Sequence, residues 1–517
     1  MCPELWAQPF FYLEPMHLLA SFLLVLIQQV EPEQGPTNLR FGGGVSQDTF
    51  HPAVLGLVLL AGILICVLPR NKAVIPFIAT VLLIPTDQVL LIGHFHFPML
   101  RVLILFGLAR LFFTKMSEKS EILSGGVNKV DITILLCAIV VAIDAGLLWN
   151  SSGALIYQAG ELLSIFGSYC MIRFFIRDGD DVTRVIRTFC YICAVIAVIM
   201  VVEQVTHRNP IYTAFGGARA DLYATVMQRD GKLRATASFV HPILAGTFGA
   251  VLVPLFIGLW WKEKSGRGIA ILGLIAATVI TLTSNSSTPV LAYAAGLLGL
   301  ALWPIRRGMR IVRWAIVITI VSLHMVMKAP VWHLISRMDV LNASSGYHRY
   351  QLVNQFILHF RDWYAFGVKD TSVWGWDMWD TANQYVATGE NSGLIPFILF
   401  VAVIVFAFKL VGDARVVADK DGDKTRELFL WALGATLFAN VLGFFGISYE
   451  DQTFVPWYAI LAIVSVSSQA VVSAVVKEPE PERPHQPWLR HAMAHGTKKK
   501  PTPAFAPLER KTAPRRP

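Results

Sequence analysis

The feature that most restricts this chain is the return, along most of its length, of apolar runs of about 17 to 24 residues. A helix of that length spans a hydrocarbon core of ~30 Å. Lipid offers the backbone no hydrogen-bond partners, which leaves helices or a closed barrel, and runs without polar alternation select helices. Composition agrees. Hydrophobic residues make up 55% and charged residues 15%, with a mean hydropathy of +0.55, whereas charged residues are about a quarter of an ordinary soluble domain.

The expected fold is therefore all-α, a polytopic integral membrane protein of about fourteen transmembrane helices with a large extracytoplasmic loop. The spans are placed near 13–29, 52–69, 73–92, 97–113, 131–148, 154–176, 185–205, 238–261, 268–283, 288–304, 311–329, 392–411, 428–447 and 454–475. The first is interrupted by Glu14. The third carries Pro76, Pro85 and Asp87 and reads as a broken or re-entrant helix.

Lys and Arg fall in alternate short connections, for example Arg70 with Lys72, Lys262 with Lys264, and Arg306 with Arg307, while WNSS at 149–152 and YEDQ at 449–452 have none. The positive-inside rule then puts both termini in the cytoplasm. The organisation expected is N-terminal transmembrane helices over 1–205, a first outer loop over 206–237, a second transmembrane region over 238–476 containing the outer loop 330–391, and a basic tail over 477–517. That tail, with ten Lys or Arg against four Glu and many prolines, is too poor in aliphatics to fold and is expected to be disordered.

Several chemistries find no support. Five cysteines lie in expected spans, so the Cys190 and Cys193 spacing reads as packing, and His94 with His96 lacks further ligands. There is no phosphate-binding glycine loop, no dinucleotide fingerprint and no outer D-x-D pair. Cofactor, metal and nucleic acid are not expected.

Polar chemistry concentrates in the two outer loops. The first contains Arg208, Arg219, Arg229, Lys232 and Arg234; the second contains Arg337, Arg349, Arg361 and Lys369 together with Trp363, Trp374, Trp376 and Trp379. Positive charge on the disfavoured side suggests retention for a phosphate-bearing ligand. A stretch over 346–364 has apolar residues at helical spacing and reads as an amphipathic surface helix with Arg349 in its opening turn. Flat indoles stack on sugar rings, so tryptophans beside a cationic loop fit a glycan carried on a lipid phosphate.

These segments resemble the bacterial O-antigen ligase and O-antigen polymerase family. The likeness lies in LRATASFVHPILAGTFGAVLVPL (233–255), TLTSNSSTPVLAYAAGLLGL (281–300), GYHRYQL, FGV, and DTANQYVATGENSGLIPFILF (380–400), and it covers roughly residues 70–475. The resemblance implies a metal-independent, inverting membrane glycosyltransferase. It would transfer an undecaprenyl-diphosphate-linked glycan to a saccharide or lipid-glycan acceptor at the outer face of the inner membrane. O-antigen, exopolysaccharide or lipopolysaccharide biosynthesis would be the setting, with polysaccharide assembly proteins as further partners. Arg234, Arg349, Arg219 and Arg101 would meet the diphosphate, with Trp376 and Trp379 against the glycan. Family members often carry Arg after the serine of the Ser-rich motif, and His before the Asn of the large loop. Here Ser287 and Thr288 follow Ser286, and Ala382 precedes Asn383. Acceptor activation then passes to Asp380, Asn383 or Glu390, with His348 and His359 also in reach. A lipid-linked sugar transporter or flippase and a non-catalytic scaffold of an assembly complex stand as the alternatives.

Overall fold

A computed structural model of the chain describes residues 51–85, 88–92, 95–117, 123–216, 227–229, 231–337 and 345–476. The first expected span, Arg219 and the basic tail lie outside the described residues. The rest is a helical assembly with two short β-hairpins. In chain order the helices are α1 (Pro52–Val67), α2 (Arg70–Leu83), α3 (Met99–Ser117), α4 (Lys129–Trp149), α5 (Ser152–Phe175), α6 (Gly179–Thr206) and the single-turn α7 (Pro210–Phe215). They continue with α8 (Pro242–Lys262), α9 (Arg267–Thr283), α10 (Ser287–Ala301) and α11 (Met309–Val326), the last preceded by a 3₁₀ turn over Trp303–Gly308. After them come α12 (Ser345–Leu358), the short α13 (Phe360–Trp363), α14 (Gln384–Ser392), α15 (Leu394–Lys420), α16 (Lys424–Gly443) and α17 (Phe454–Val476).

The expected count of about fourteen spans does not hold. Among the described residues six helices are long and apolar enough to cross a membrane: α4, α5, α6, α8, α15 and the segment Trp303–Val326. Three more apolar helices, α1, α9 and α10, have only 15 to 17 residues, and at ~1.5 Å per residue they fall short of a ~30 Å core. The expected third span is corrected as well. Ile84 precedes Pro85 and takes an extended conformation, φ −109° and ψ 143°, as a residue before proline must to clear the ring, so α2 stops at Leu83. The chain then forms the antiparallel hairpin β1 (Val89–Ile92) and β2 (Phe95–Pro98), pairing Val89 with Pro98 and Ile92 with Phe95.

Helix α8 is the centre of the second half, packed by α9, α10 and α16, with almost every side chain from Pro242 to Leu259 buried. Small residues permit this. A Cβ on Gly249 would lie 2.9 Å from the Ala277 carbonyl oxygen of α9, so only glycine allows the two backbones to approach so closely. Helix α11 is the opposite case, with none of its side chains buried; isoleucine, valine and tryptophan face outward all round. Such a surface suits lipid rather than water.

The large loop makes its own small core from Leu352, Phe356, Trp363, Trp374, Met378 and Val386. The expected amphipathic helix over 346–364 is there in two pieces, α12 and α13, broken at His359, whose φ of −94° and ψ of 26° leave the helical region.

Candidate functional site

The first element to place is a second hairpin, β3 (Met227–Arg229) and β4 (Lys232–Arg234), which turns through Gly231 at φ 73°. Leu233 is tied down by its carbonyl, which accepts from Gln204 Nε2 at 3.0 Å and Asn285 Nδ2 at 2.5 Å. The residues that follow are fixed by the buried Glu203 at the end of α6. Its carboxylate accepts from the Thr236 amide at 3.0 Å and the Ala237 amide at 2.8 Å, and Asn209 Nδ2 donates to the Ala237 carbonyl at 2.8 Å. Ala237 is held at φ 51°, an uncommon conformation for a residue with a Cβ, which the knot of hydrogen bonds around it maintains.

This scaffold sets Arg234 into the protein at 7% exposure, where Nη2 donates to Ser286 Oγ at 2.7 Å. Ser286 is the N-cap of α10. Arg349, carried near the start of α12, is equally buried at 7%. The two guanidinium groups interact electrostatically: burial pushes Arg234 down to about 10, and the charges of Arg229 and Arg349 push the same way. His241, the N-cap of α8, is depressed to about 4 by burial and then by Arg234 and Arg229. It is neutral at pH 7, and its Nδ1 accepts from the Ile243 amide at 3.2 Å.

Asp380 joins the same neighbourhood. Desolvation raises its carboxyl, Asp377 adds to the rise, and His348 and Arg349 oppose it. A raised carboxyl beside a cation is a reasonable proton acceptor. His348, Asp377 and Asp380 also bring one ligand atom each within 4.8 Å of one another, so a cation could be held there. His348 Nε2 lies 3.0 Å from the Asp380 carbonyl oxygen.

The other expected site residues fall in different places. Asn383 caps α14: its Oδ1 accepts from the amides of Tyr385 at 3.0 Å and Val386 at 3.2 Å, while Nδ2 donates to the Phe445 carbonyl at 3.4 Å. Glu390 is buried in the last turn of α14, where the Thr381 hydroxyl donates to it and its carbonyl accepts from the Val368 amide at 2.7 Å. Trp376 and Trp379 project from the loop at 90% and 72% exposure. Arg101 is apart from Arg234 and Arg349. It lies in the first turn of α3, paired with Glu161 at 2.9 Å and donating to Ser164 at 3.2 Å.

Arg101 belongs to a second feature, an open cavity of about 600 Å³ between α3, α4, α5, α14, α15 and the turn before α17. Helix α14 stands between this cavity and α12. Gln384, Ala387, Thr388 and Asn391 line the cavity, while Val386 and Gly389 turn to α12. A Cβ at Gly389 would be 2.4 Å from the Phe356 ring, so glycine is what allows α12 and α14 to close on each other.

His241 and Asn209 do not stand out in the sequence because each looks like an ordinary cap or loop residue, and Ser286, read there only as part of the Ser-rich motif, gives no sign of its bond to Arg234. The acidic run at 449–452 was visible but signified only orientation. Comparison with family models finds no match, and comparison with curated proteins finds none either.

Proposed function

We propose that the protein is a glycan polymerase or ligase of the O-antigen ligase type. It would transfer a glycan from a lipid-linked diphosphate, of the undecaprenyl kind, to a saccharide acceptor at the outer face of a bacterial inner membrane. The observation that carries this reading is that Arg234 and Arg349, two buried guanidinium groups from loops more than a hundred residues apart in sequence, lie close enough for each to feel the other's charge. Guanidinium forks match phosphate oxygens, and donors fixed in place beforehand stabilise a departing diphosphate as its charge grows. Asp380, with its raised carboxyl beside Arg349, would take the proton of the acceptor hydroxyl as its oxygen attacks the anomeric carbon and the bond to the diphosphate breaks. The exposed Trp376 and Trp379 offer faces for sugar rings.

The direct test is to incubate the purified protein in nanodiscs with a prenyl-diphosphate-linked oligosaccharide and follow glycan transfer and release of prenyl diphosphate. Both should occur with the native chain and fail with Arg349→Gln. Failure of the native chain to bind the lipid diphosphate at all would sink the proposal. The orientation is tested separately by cysteine labelling with an impermeant reagent. A cysteine at the exposed Ser372 should react from outside, and one at the exposed Asp421 should not.

A further inference from the structure

The large loop holds a set of groups that glycosyl transfer does not require together. His348, in the first turn of α12, and the loop residues Asp377 and Asp380 each bring one ligand atom within 4.8 Å of the other two. The segments that carry them are fixed by the protein itself. Leu352 and Phe356 of α12 share one small core with Trp374 and Met378 of the loop, and Thr371 Oγ1 donates to the Met378 carbonyl at 2.8 Å. Asp377 and Asp380 therefore flank a buried methionine and stand beside His348. The imidazole is oriented as well: Nε2 lies 3.0 Å from the Asp380 carbonyl oxygen, which only accepts, so in the neutral ring Nε2 carries the proton and Nδ1 keeps its lone pair. Metal-bound histidines are held by just such a bond from the other ring nitrogen.

Two carboxylates side by side repel each other and call for a positive partner. Among the described residues no hydrogen bond or ion pair engages either carboxylate; the imidazole does not close on them, and Arg349 acts on Asp380 through its field. Donor atoms around a bound zinc ion lie roughly 3 to 3.5 Å apart, so moving these half-buried or exposed side chains by about an ångström closes all three on one ion. We infer that His348, Asp377 and Asp380 form a binding site for one divalent transition-metal cation, Mn²⁺ or Zn²⁺. One imidazole with two carboxylates suits these ions better than Mg²⁺ or Ca²⁺, which prefer oxygen alone. Three protein ligands leave positions open to water. Such a site departs from the metal independence that the family resemblance implies. Binding of the cation stands without the glycosyl-transfer reading, whereas its consequence for transfer rests on that reading: a carboxylate that holds a cation takes no proton from an acceptor, so filling the site should silence Asp380.

The experiment uses the full chain, stripped of metal by a chelator, in zwitterionic nanodiscs, with Mn²⁺ and Zn²⁺ as probes. Mn²⁺ is followed by electron paramagnetic resonance and Zn²⁺ by isothermal titration. Both should bind saturably, and bound Mn²⁺ should show hyperfine coupling to an imidazole nitrogen. His348→Gln should remove that coupling, and His348→Gln and Asp377→Asn should each weaken binding at least about 10-fold, with thermal unfolding used to show that both variants fold. Asp377→Asn, whose side chain carries no hydrogen bond to the rest of the fold, serves where His348→Gln unsettles α12. The inference is overturned if neither ion binds saturably below about 1 mM, if bound Mn²⁺ shows no imidazole coupling, or if affinity and coupling survive the variants, which would assign them to histidines elsewhere, such as those of the tail. Glycan transfer by the native chain should fall as Mn²⁺ fills the site. Transfer untouched by a filled site would count against Asp380 as the proton acceptor and leave the cation site standing.

Discussion

Two polar compartments at the loop end of the helices differ in how their cations are held. In one, Arg234 is buried with the charges of Arg229 and Arg349 acting against its own, and the neutral His241 lies within the field of Arg234 and Arg229. In the other, Arg101 is ion-paired with Glu161 at 2.9 Å in the wall of an open cavity. The difference teaches that like charges brought together under burial favour an anion between them, whereas a cation set beside a carboxylate is already balanced within the protein.

The largest expected effect is on the cationic side. Arg349→Gln and Arg234→Gln should each lower glycan transfer by roughly 10²-fold to 10³-fold, the usual consequence of removing a donor from a developing negative charge. Equal activity in both variants and the native chain would erase the distinction between the compartments. Next comes Asp380→Asn, which should reduce turnover by about 10²-fold, the usual effect of removing a proton acceptor, while protein abundance is unchanged. Native-level product from that variant would make Asp380 a bystander and shift attention to His348.

The scaffold comes third. Glu203→Gln replaces the carboxylate that accepts from the Thr236 and Ala237 amides, and a charge-assisted bond of this kind contributes about 2 kcal/mol, which a thermal or denaturant unfolding series would register. A smaller effect sharpens the electrostatic side. His241 is lowered from 6.5 to about 4 in the folded protein, so the unfolded chain binds the proton more tightly. Stability is therefore full above about pH 6.5, falls as the pH drops, and levels out below about pH 4. His241→Asn, which retains a capping side chain, should flatten that part of the pH profile; an unaltered slope would show that other groups cause it. Least of all, Trp376→Ala and Trp379→Ala should change stability by less than about 0.5 kcal/mol, since both indoles are exposed. A measurable fall in glycan affinity without any stability change is what the ring-stacking role requires.

Much of the helical plan was legible because a run of apolar residues leaves little choice of structure. The spans near 131–148, 154–176, 185–205, 238–261 and 392–411 correspond to α4, α5, α6, α8 and α15. What apolarity alone does not reveal is length of regular helix. Pro85 cut the third span, and α9 ends at Ser284 and α10 starts after Ser286, where the two serine side chains donate back to the Thr281 and Ser284 carbonyls. In the site, Arg234 and Arg349 stood out as charges in the wrong place, but their meeting depends on Glu203 and Asn209, whose partners are 28 to 34 residues away in sequence. Asn383, a candidate for acceptor activation, caps α14, because an amide before a helix satisfies backbone donors whatever else surrounds it. The cavity beside Arg101 was illegible for a plainer reason. Its carboxylates come from α5 and from the turn before α17, nearly three hundred residues apart.

The Glu203 knot has a mechanical consequence. Because the end of α6 grips the backbone of Thr236 and Ala237, and Gln204 beside it grips Leu233, the stretch bearing Arg234 is geared to a helix of 28 residues rather than floating on a loop. A tilt of α6 of even a few degrees would carry the guanidinium toward or away from Arg349 on its separate loop. The spacing of the two cations is thus a readout of helix packing, and anything that shifts α6 would be felt at the two guanidinium groups.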